Sequence, residues 1–369
     1  MKFQSIFLLA LSATATLAQQ KNWPTPTHGD FTISNFTFDS GQVLNNLKIH
    51  YQTLGKLQVH PDGTTNAVLI LHGTTGSSGQ FLNPDFAGVL FNPGQVLDTK
   101  KYFIIMPDGI GHGNSSKPST SGLRASFPGY QYSDMTRATY RLLTEHLRVK
   151  HTRLVMGVSM GGMHTWTMGT QYPSLSDALM PIACLPTQIS GQNRLWRKFI
   201  IELIRSDPAW NSGDYTAQPI ASLGGALFLV QTMFSSPLYY QSQYPTRDAM
   251  DRYVDQLLPH IAEYDANDLL YAWNASHTYD PTEEGLGKIK ARGLTAVNTA
   301  DDMINPPELG VLERVVGSLE LRGLGAKAVV VPESSETVGH GSYIKAKLWV
   351  DELQLLLAKT GPKGSSSCS

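Results

Sequence analysis

The chain has 369 residues, 41% of them hydrophobic and 16% charged, a globular balance with enough apolar material for a large core and an insertion. Its 29 Lys and Arg against 30 Asp and Glu leave a formal net charge of −1, and no long basic run stands out. That balance argues against nucleic acid, or any other partner bound through bulk charge.

The first residues, "MKFQSIFLLALSATATLAQQ", combine one lysine, an apolar stretch from Ile6 to Leu11 and a small-residue approach to Ala18. This pattern predicts a signal peptide over residues 1–18, too short and wrongly flanked for a transmembrane helix. No later stretch is apolar for long enough to span a bilayer, so the expected product is a secreted, soluble protein without a membrane span. In that compartment the N-x-[ST] sequons at Asn35, Asn114 and Asn274 are candidate glycosylation sites. The two cysteines, Cys184 and Cys368, do not make a disulfide framework, although a bridge between them stays open.

Next comes "FTFDSGQVLNNLKIHYQTLGKL", two β-rich runs around a Gly- and Asn-bearing turn, which reads as a hairpin. "NAVLILHG" and "KYFIIMPDG" are short continuous apolar runs ending in glycine, as strands buried on both faces of a parallel sheet do. "SDMTRATYRLLTEHLRV" has helical periodicity, with Met135, Ala138, Leu142, Leu143 and Leu147 on one face and Ser133 as the expected N-cap. "TRLVMGVS", "SDALMPIACL" and "KAVVVP" supply further strands. Strand and helix alternate, so the class is α/β.

The alternation breaks between about Pro186 and Gly285. In "NRLWRKFIIELIRS" the residues Leu195, Trp196, Phe199, Ile200, Leu203 and Ile204 are expected to form a buried stripe, with Arg194, Arg197, Lys198 and Glu202 opposite. The expected organisation is therefore a core over residues 19–185 and 286–358, a helical lid over 186–285 and a disordered tail over 359–369. Such a lid would lie over the carboxyl ends of the strands, where open α/β sheets bind ligands.

Gly157-Val158-Ser159-Met160-Gly161 matches G-x-S-x-G between a strand and a helix, the setting of a nucleophile elbow. A serine hydroxyl needs an adjacent base to attack at neutral pH. In α/β-hydrolases the chain order is Ser, acid, His, and beyond residue 302 the single histidine is His340, on a Gly-flanked loop after "KAVVVP". The acid is expected in "LTAVNTADDMINPPE". Asp302 is preferred over its neighbour Asp301, because a proline four residues on, here Pro306, recurs in hydrolases that look like this one. The oxyanion hole is assigned to the backbone N–H groups of Thr74, in "LHGTTGSSG", and Met160. His72 comes too early in the order to be the base and is expected to bond locally. "PDGIGHGNSSKP" lacks the third glycine of a dinucleotide fingerprint and reads as a tight loop beneath the cleft. No HExxH, CxxC or P-loop pattern occurs, so neither a metal nor another cofactor is expected.

"SDMTRA", "SMGGM", "YDANDLLYAW" and "GHGSY", in this order and over roughly residues 30 to 350, resemble the homoserine O-acetyltransferase branch of the α/β-hydrolase fold. The resemblance implies a mostly parallel sheet with a helical lid, an acyl-enzyme on Ser159 formed from an ester or thioester, and a homodimer through the lid. It also marks differences. Gly341 stands where the family usually has an aspartate for the amino group of homoserine, and Ser133 where it has an arginine. Val158 and His164 replace a common glycine and glutamine. Together with the signal peptide, these differences favour a secreted ester hydrolase, with O-acyl transfer to an alcohol as the alternative and a non-catalytic binding protein as a third reading.

Overall fold

The computed structural model describes residues 23–361. The signal-like segment and Cys368 lie outside the described residues. The hairpin forms as β1 (Thr27–Thr37) and β2 (Val43–Leu54), antiparallel from Thr27 opposite Thr53 to Thr37 opposite Val43. The turn between them places Gly41 at φ 83°, a conformation that glycine adopts without a steric cost.

The apolar runs become β3 (Ala67–Leu71), β4 (Phe103–Pro107), β5 (Leu154–Val158), β6 (Ala178–Ile182), β7 (Gly293–Thr299) and β8 (Gly325–Val331). They lie in one eight-stranded sheet of order β1-β2-β4-β3-β5-β6-β7-β8, parallel from β4 through to β8. Continuous burial follows from coverage on both faces. In β3, Ala67, Leu69 and Leu71 enter one core, with Met135, Met163, Trp166 and Leu312. Val68 and Ile70 enter the other, with Phe86, Leu90, Trp349 and Leu353. Successive side chains of a strand point to opposite faces, so one strand feeds both layers.

Three expectations shift on folding. The helix Tyr132–Arg141 is capped by Gln131, not Ser133. Gln131 and Asp134 form a reciprocal capping box, while the Ser133 hydroxyl turns to Asp39. The helix then opens into a π-turn over Leu142–His146, which leaves Leu147 only half-buried. At the other end of the chain, the helix Val350–Lys359 continues into Thr360, which is fully buried and accepts a hydrogen bond from Arg153 Nη1 at 2.9 Å. Ordered packing therefore runs past residue 359.

Between β6 and β7 the chain leaves the sheet for the helices Gly191–Ser206, Ile220–Phe234, Pro237–Gln243, Arg247–Leu257 and Ala266–Asn274. Gly191–Ser206, Ile220–Phe234 and Ala266–Asn274 share a core of their own, built from Ile200, Ile204, Leu223, Val230, Leu269 and Trp273, while Pro237–Gln243 and Arg247–Leu257 pack together through Tyr240, Tyr253 and Leu257. Ile304, just past β7, joins this core and seats the lid over the carboxyl end of that strand. The stripe expected on Gly191–Ser206 is rotated. Asn193, Arg197, Ile200, Ile201 and Ile204 are buried, whereas Leu195, Phe199 and Leu203 are 49%, 47% and 37% exposed. Among the described residues no single helix is long and apolar enough to cross a membrane.

Candidate active site

Ser159 sits directly after β5, at φ 55° and ψ −115°, a strained conformation for a residue with a Cβ. The turn is held because its neighbours leave room for nothing larger. A Cβ on Gly157 would lie 2.2 Å from the Gly161 carbonyl oxygen, and one on Gly161 would lie 2.0 Å from that of Leu71. A Cβ on Gly162 would meet Cys184 Sγ at 2.6 Å. The Ser159 N–H donates to the Ile182 carbonyl at 2.8 Å and pins the elbow to β6. Cys184 is buried and forms no disulfide among the described residues.

The loop after β8 brings His340 Nε2 to 2.8 Å from Ser159 Oγ, and the loop after β7 brings Asp302 Oδ2 to 3.0 Å from His340 Nδ1. Asp302 is fully buried, accepting from the Ile304 N–H at 2.9 Å and from Asn305 Nδ2 at 3.3 Å. Burial alone would raise its pKa, but His340, Asn305 and the Ile304 N–H outweigh that and hold the carboxyl below its usual range. It stays an anion facing the imidazole. Asp301 is employed differently: its Oδ2 accepts from the Gly339 N–H at 2.7 Å and fastens the loop that carries His340. The two neighbouring aspartates thus separate into one that touches the ring and one that holds the backbone beside it.

The loop after β3 crosses in front of Ser159. A Cβ on Gly73 would stand 3.6 Å from the serine Cβ. Two buried histidines fix this loop from below. His72 Nδ1 donates to the Gly73 carbonyl at 2.8 Å while its Nε2 accepts from the Gly109 N–H at 2.9 Å, the local role expected of it. His112 Nε2 lies 2.5 Å from the Thr74 carbonyl oxygen. With its carbonyl held away, Thr74 lines the cleft beside Ser159. Met160 is the first residue of the helix Met160–Gln171, and its N–H is among those a helix leaves unbonded at its start. The sequons Asn35, Asn114 and Asn274 are all exposed.

Ser159, His340 and Thr74 line a narrow cleft together with Arg197, Val230, Phe234, Trp273 and Tyr343. A larger hollow, of about 260 Å³, around Tyr130, Arg205, Trp210 and Tyr271 contains none of the three, so size is no guide to chemistry here. Sequence reasoning missed Arg197 and Phe234 as cleft residues. The signal for Phe234 lies in a glycine: a Cβ on Gly341 would stand 2.4 Å from its ring. For Arg197, the apolar residues around most of its helix hid which face turns inward. Among the described residues no group of three or more His, Cys, Asp or Glu is arranged to hold a metal ion.

The family profile of the alpha/beta hydrolase fold matches residues 66–309. A homoserine O-acetyltransferase of Pelobacter propionicus is 30% identical over 351 residues, covering 85% of this chain and 91% of its own. Two solved structures superpose over 90% of this chain. One is an acetylester hydrolase from Corynebacterium glutamicum, with a TM-score of 0.77, 20% identity and 96% of its own chain covered. The other is a homoserine O-acetyltransferase from Bacillus anthracis, with a TM-score of 0.76, 21% identity and 98% covered. At that identity the two structures speak for the fold. By the profile match and by the identity shared across most of both chains, this protein belongs to the α/β-hydrolase fold family, in its homoserine O-acetyltransferase-like branch.

Proposed function

We propose that the protein is a secreted serine ester hydrolase that works through an acyl-enzyme on Ser159. The observation that carries the reading is the continuous hydrogen-bonded line from Ser159 Oγ through His340 to Asp302. As Oγ attacks the ester carbonyl carbon, His340 Nε2 takes its proton and Asp302 stabilises the imidazolium. The carbonyl oxygen becomes an oxyanion that accepts from the Thr74 and Met160 N–H groups. His340 then gives the proton to the departing alcohol, leaving Ser159 acylated. Water, deprotonated by the same imidazole, attacks the acyl carbon, and collapse of the second tetrahedral adduct returns the proton to Oγ and frees the acid.

Hydrolysis is favoured over transfer to homoserine by Gly341. The aspartate that usually binds the amino group in this branch would have to enter the space taken by the Phe234 ring. Acyl transfer to a different alcohol is the second reading, supported by the P. propionicus relative, a homoserine O-acetyltransferase. Secretion rests on the pattern of residues 1–18. N-terminal sequencing of protein from the medium should begin at Gln19, and an intact Met1 would remove this part of the reading.

The test compares the mature protein with Ser159→Ala. Short acyl esters are given in one assay and acetyl-CoA with or without homoserine in another, while free acid and free thiol are followed. Ester cleavage that falls by about 10⁴ or more in the variant supports the proposal. Thiol release that rises with homoserine, without ester cleavage, would replace it with the transferase.

A further inference from the structure

The lid buries an arginine that no carboxylate among the described residues neutralises. Arg197 is 2% exposed; its Nε donates to Asn193 Oδ1 at 2.7 Å, and its guanidinium carbon stands 4.8 Å from the centre of the Trp273 ring. Its Nη1, however, is buried with no hydrogen-bond partner. One turn earlier on the same helix, Arg194 holds a second buried Nη1 without a partner. Neither guanidinium forms an ion pair with a carboxylate among the described residues. Burying an uncompensated cation costs several kcal/mol, and a methionine of similar reach would avoid the penalty.

The position explains what the charge is for. Arg197 lines the cleft that holds Ser159 and His340, and Val230, Met233, Phe234, Trp273 and Ile304 around it are apolar. Its place is fixed from the catalytic side. Asn193 Nδ2 reaches Asn305 Oδ1 at 3.4 Å, and Asn305 Nδ2 reaches Asp302 Oδ2 at 3.3 Å. Asp302 itself is engaged by His340 and does not reach the guanidinium. Burial pulls the Arg197 guanidinium below its usual range, against the Tyr132 hydroxyl beside it, which acts in the opposite direction, and with the like charge of Arg194 as a smaller push the same way. An arginine nonetheless stays protonated in a protein, so the cation waits for an anion.

We propose that Arg197, with Arg194 behind it, receives a carboxylate carried by the substrate, so that the preferred ester is itself an anion. This rests on the reading of Ser159 as the nucleophile. A guanidinium edge matches a carboxylate in two parallel hydrogen bonds, and apolar walls exclude the water that would weaken them. The carboxylate belongs either to the acyl half or to the alcohol half of the ester, and the assay has an arm for each.

For the acyl half, the mono-4-nitrophenyl ester of glutarate is compared with 4-nitrophenyl butyrate. For the alcohol half, the acetyl ester of 3-hydroxybutyrate is compared with butyl acetate. Wild type, R197Q and R197K are assayed, and R197M replaces R197Q if the glutamine variant does not melt cooperatively. In one arm, the ratio of kcat/KM for the anionic over the neutral ester should fall roughly 10- to 100-fold in R197Q, with R197K in between. A ratio that stays constant across the three proteins in both arms overturns the proposal. Calorimetric titration of glutarate into the Ser159→Ala protein separates this from a failure at the serine. Binding that disappears in the Ser159→Ala, Arg197→Gln double variant supports the anion site even if no ester is turned over. Binding that survives in it, or is absent from the single variant, overturns the site.

Discussion

The sheet and the lid both contribute to the cleft, but they hold their side chains by different means. On the sheet side, backbone geometry does the fixing: Ser159 is forced to a positive φ between glycines that admit no Cβ, and Asp301 ties down the loop of His340. On the lid side, Arg197, Phe234 and Trp273 project from helices whose backbone would accept other residues at those positions. Reaction chemistry is thus tied to parts that are hard to alter without unfolding. Selectivity is tied to parts that a single substitution can change.

The sharpest way to break this comparison lies within the sheet side, at the adjacent aspartates. Asp302→Asn removes the anion that faces His340 Nδ1 and is expected to lower kcat by about 10⁴. Asp301→Asn keeps an oxygen that can accept from the Gly339 N–H and is expected to lower it by about tenfold or less. Steady-state rates on a neutral ester at constant pH decide. Equal losses would mean that the loop anchor and the imidazole partner have been confused.

That chain order and strand ends narrow the acid only to two neighbours, the preference for Asp302 resting on likeness to other hydrolases through Pro306, has a physical reason. Chain order and strand ends are one-dimensional signals, so Ser159, His340 and the pair Asp301–Asp302 were legible. Which of two adjacent carboxylates turns inward depends on the path of a loop bonded to Asn305 and Gly339, and no periodicity reports that. The sheet was legible because continuous apolar runs have few alternatives. The helix Gly191–Ser206 was not, since apolar residues occupy most of its circumference and several stripes fit equally well. Contact with Trp273 and Asn305 selected the one containing Arg197. The capping residue of Tyr132–Arg141 was misplaced because Asp39, more than ninety residues earlier, claims the Ser133 hydroxyl.

A second test uses pH to separate the sheet side from the lid. His72, His112 and His164 are buried beneath the elbow, and burial first, with neighbouring imidazoles adding for His112 and His164, lowers all three, His112 to about 3. The unfolded chain takes up protons near pH 6.5, whereas the fold refuses them. Stability from these groups is therefore complete above about pH 6.5 and is lost as the pH falls below it; for His112 the loss continues down to about pH 3, at about 1.4 kcal/mol per pH unit. The depressed carboxyl of Asp302 acts in a separate window, since its contribution persists above its unfolded value and is lost only at lower pH. Urea midpoints at pH 7.5, 6.5 and 5.5 should hold between the first two and drop at the third. His164→Gln should flatten that drop; a midpoint independent of pH would sink the argument.

The smallest expected effect comes from the two faces of one lid helix. Residues 197 and 199 lie about 200° apart around it, so the face that buries Arg197 turns Phe199 away from the cleft. Leu195, Phe199 and Leu203 make an exposed apolar edge at i, i+4 and i+8, and the lid-mediated dimer implied by the branch would have to cover an edge of this kind. If it does, the wild type sediments as a dimer and Phe199→Glu as a monomer. If the edge is simply wet, both sediment as monomers, and the substitution shifts stability by no more than about 0.5 kcal/mol. Either result should leave kcat/KM on a neutral ester intact, because the helix meets the cleft through Arg197. A loss of activity that follows Phe199 would mean that the lid acts on the cleft as one body, and that its faces cannot be treated separately.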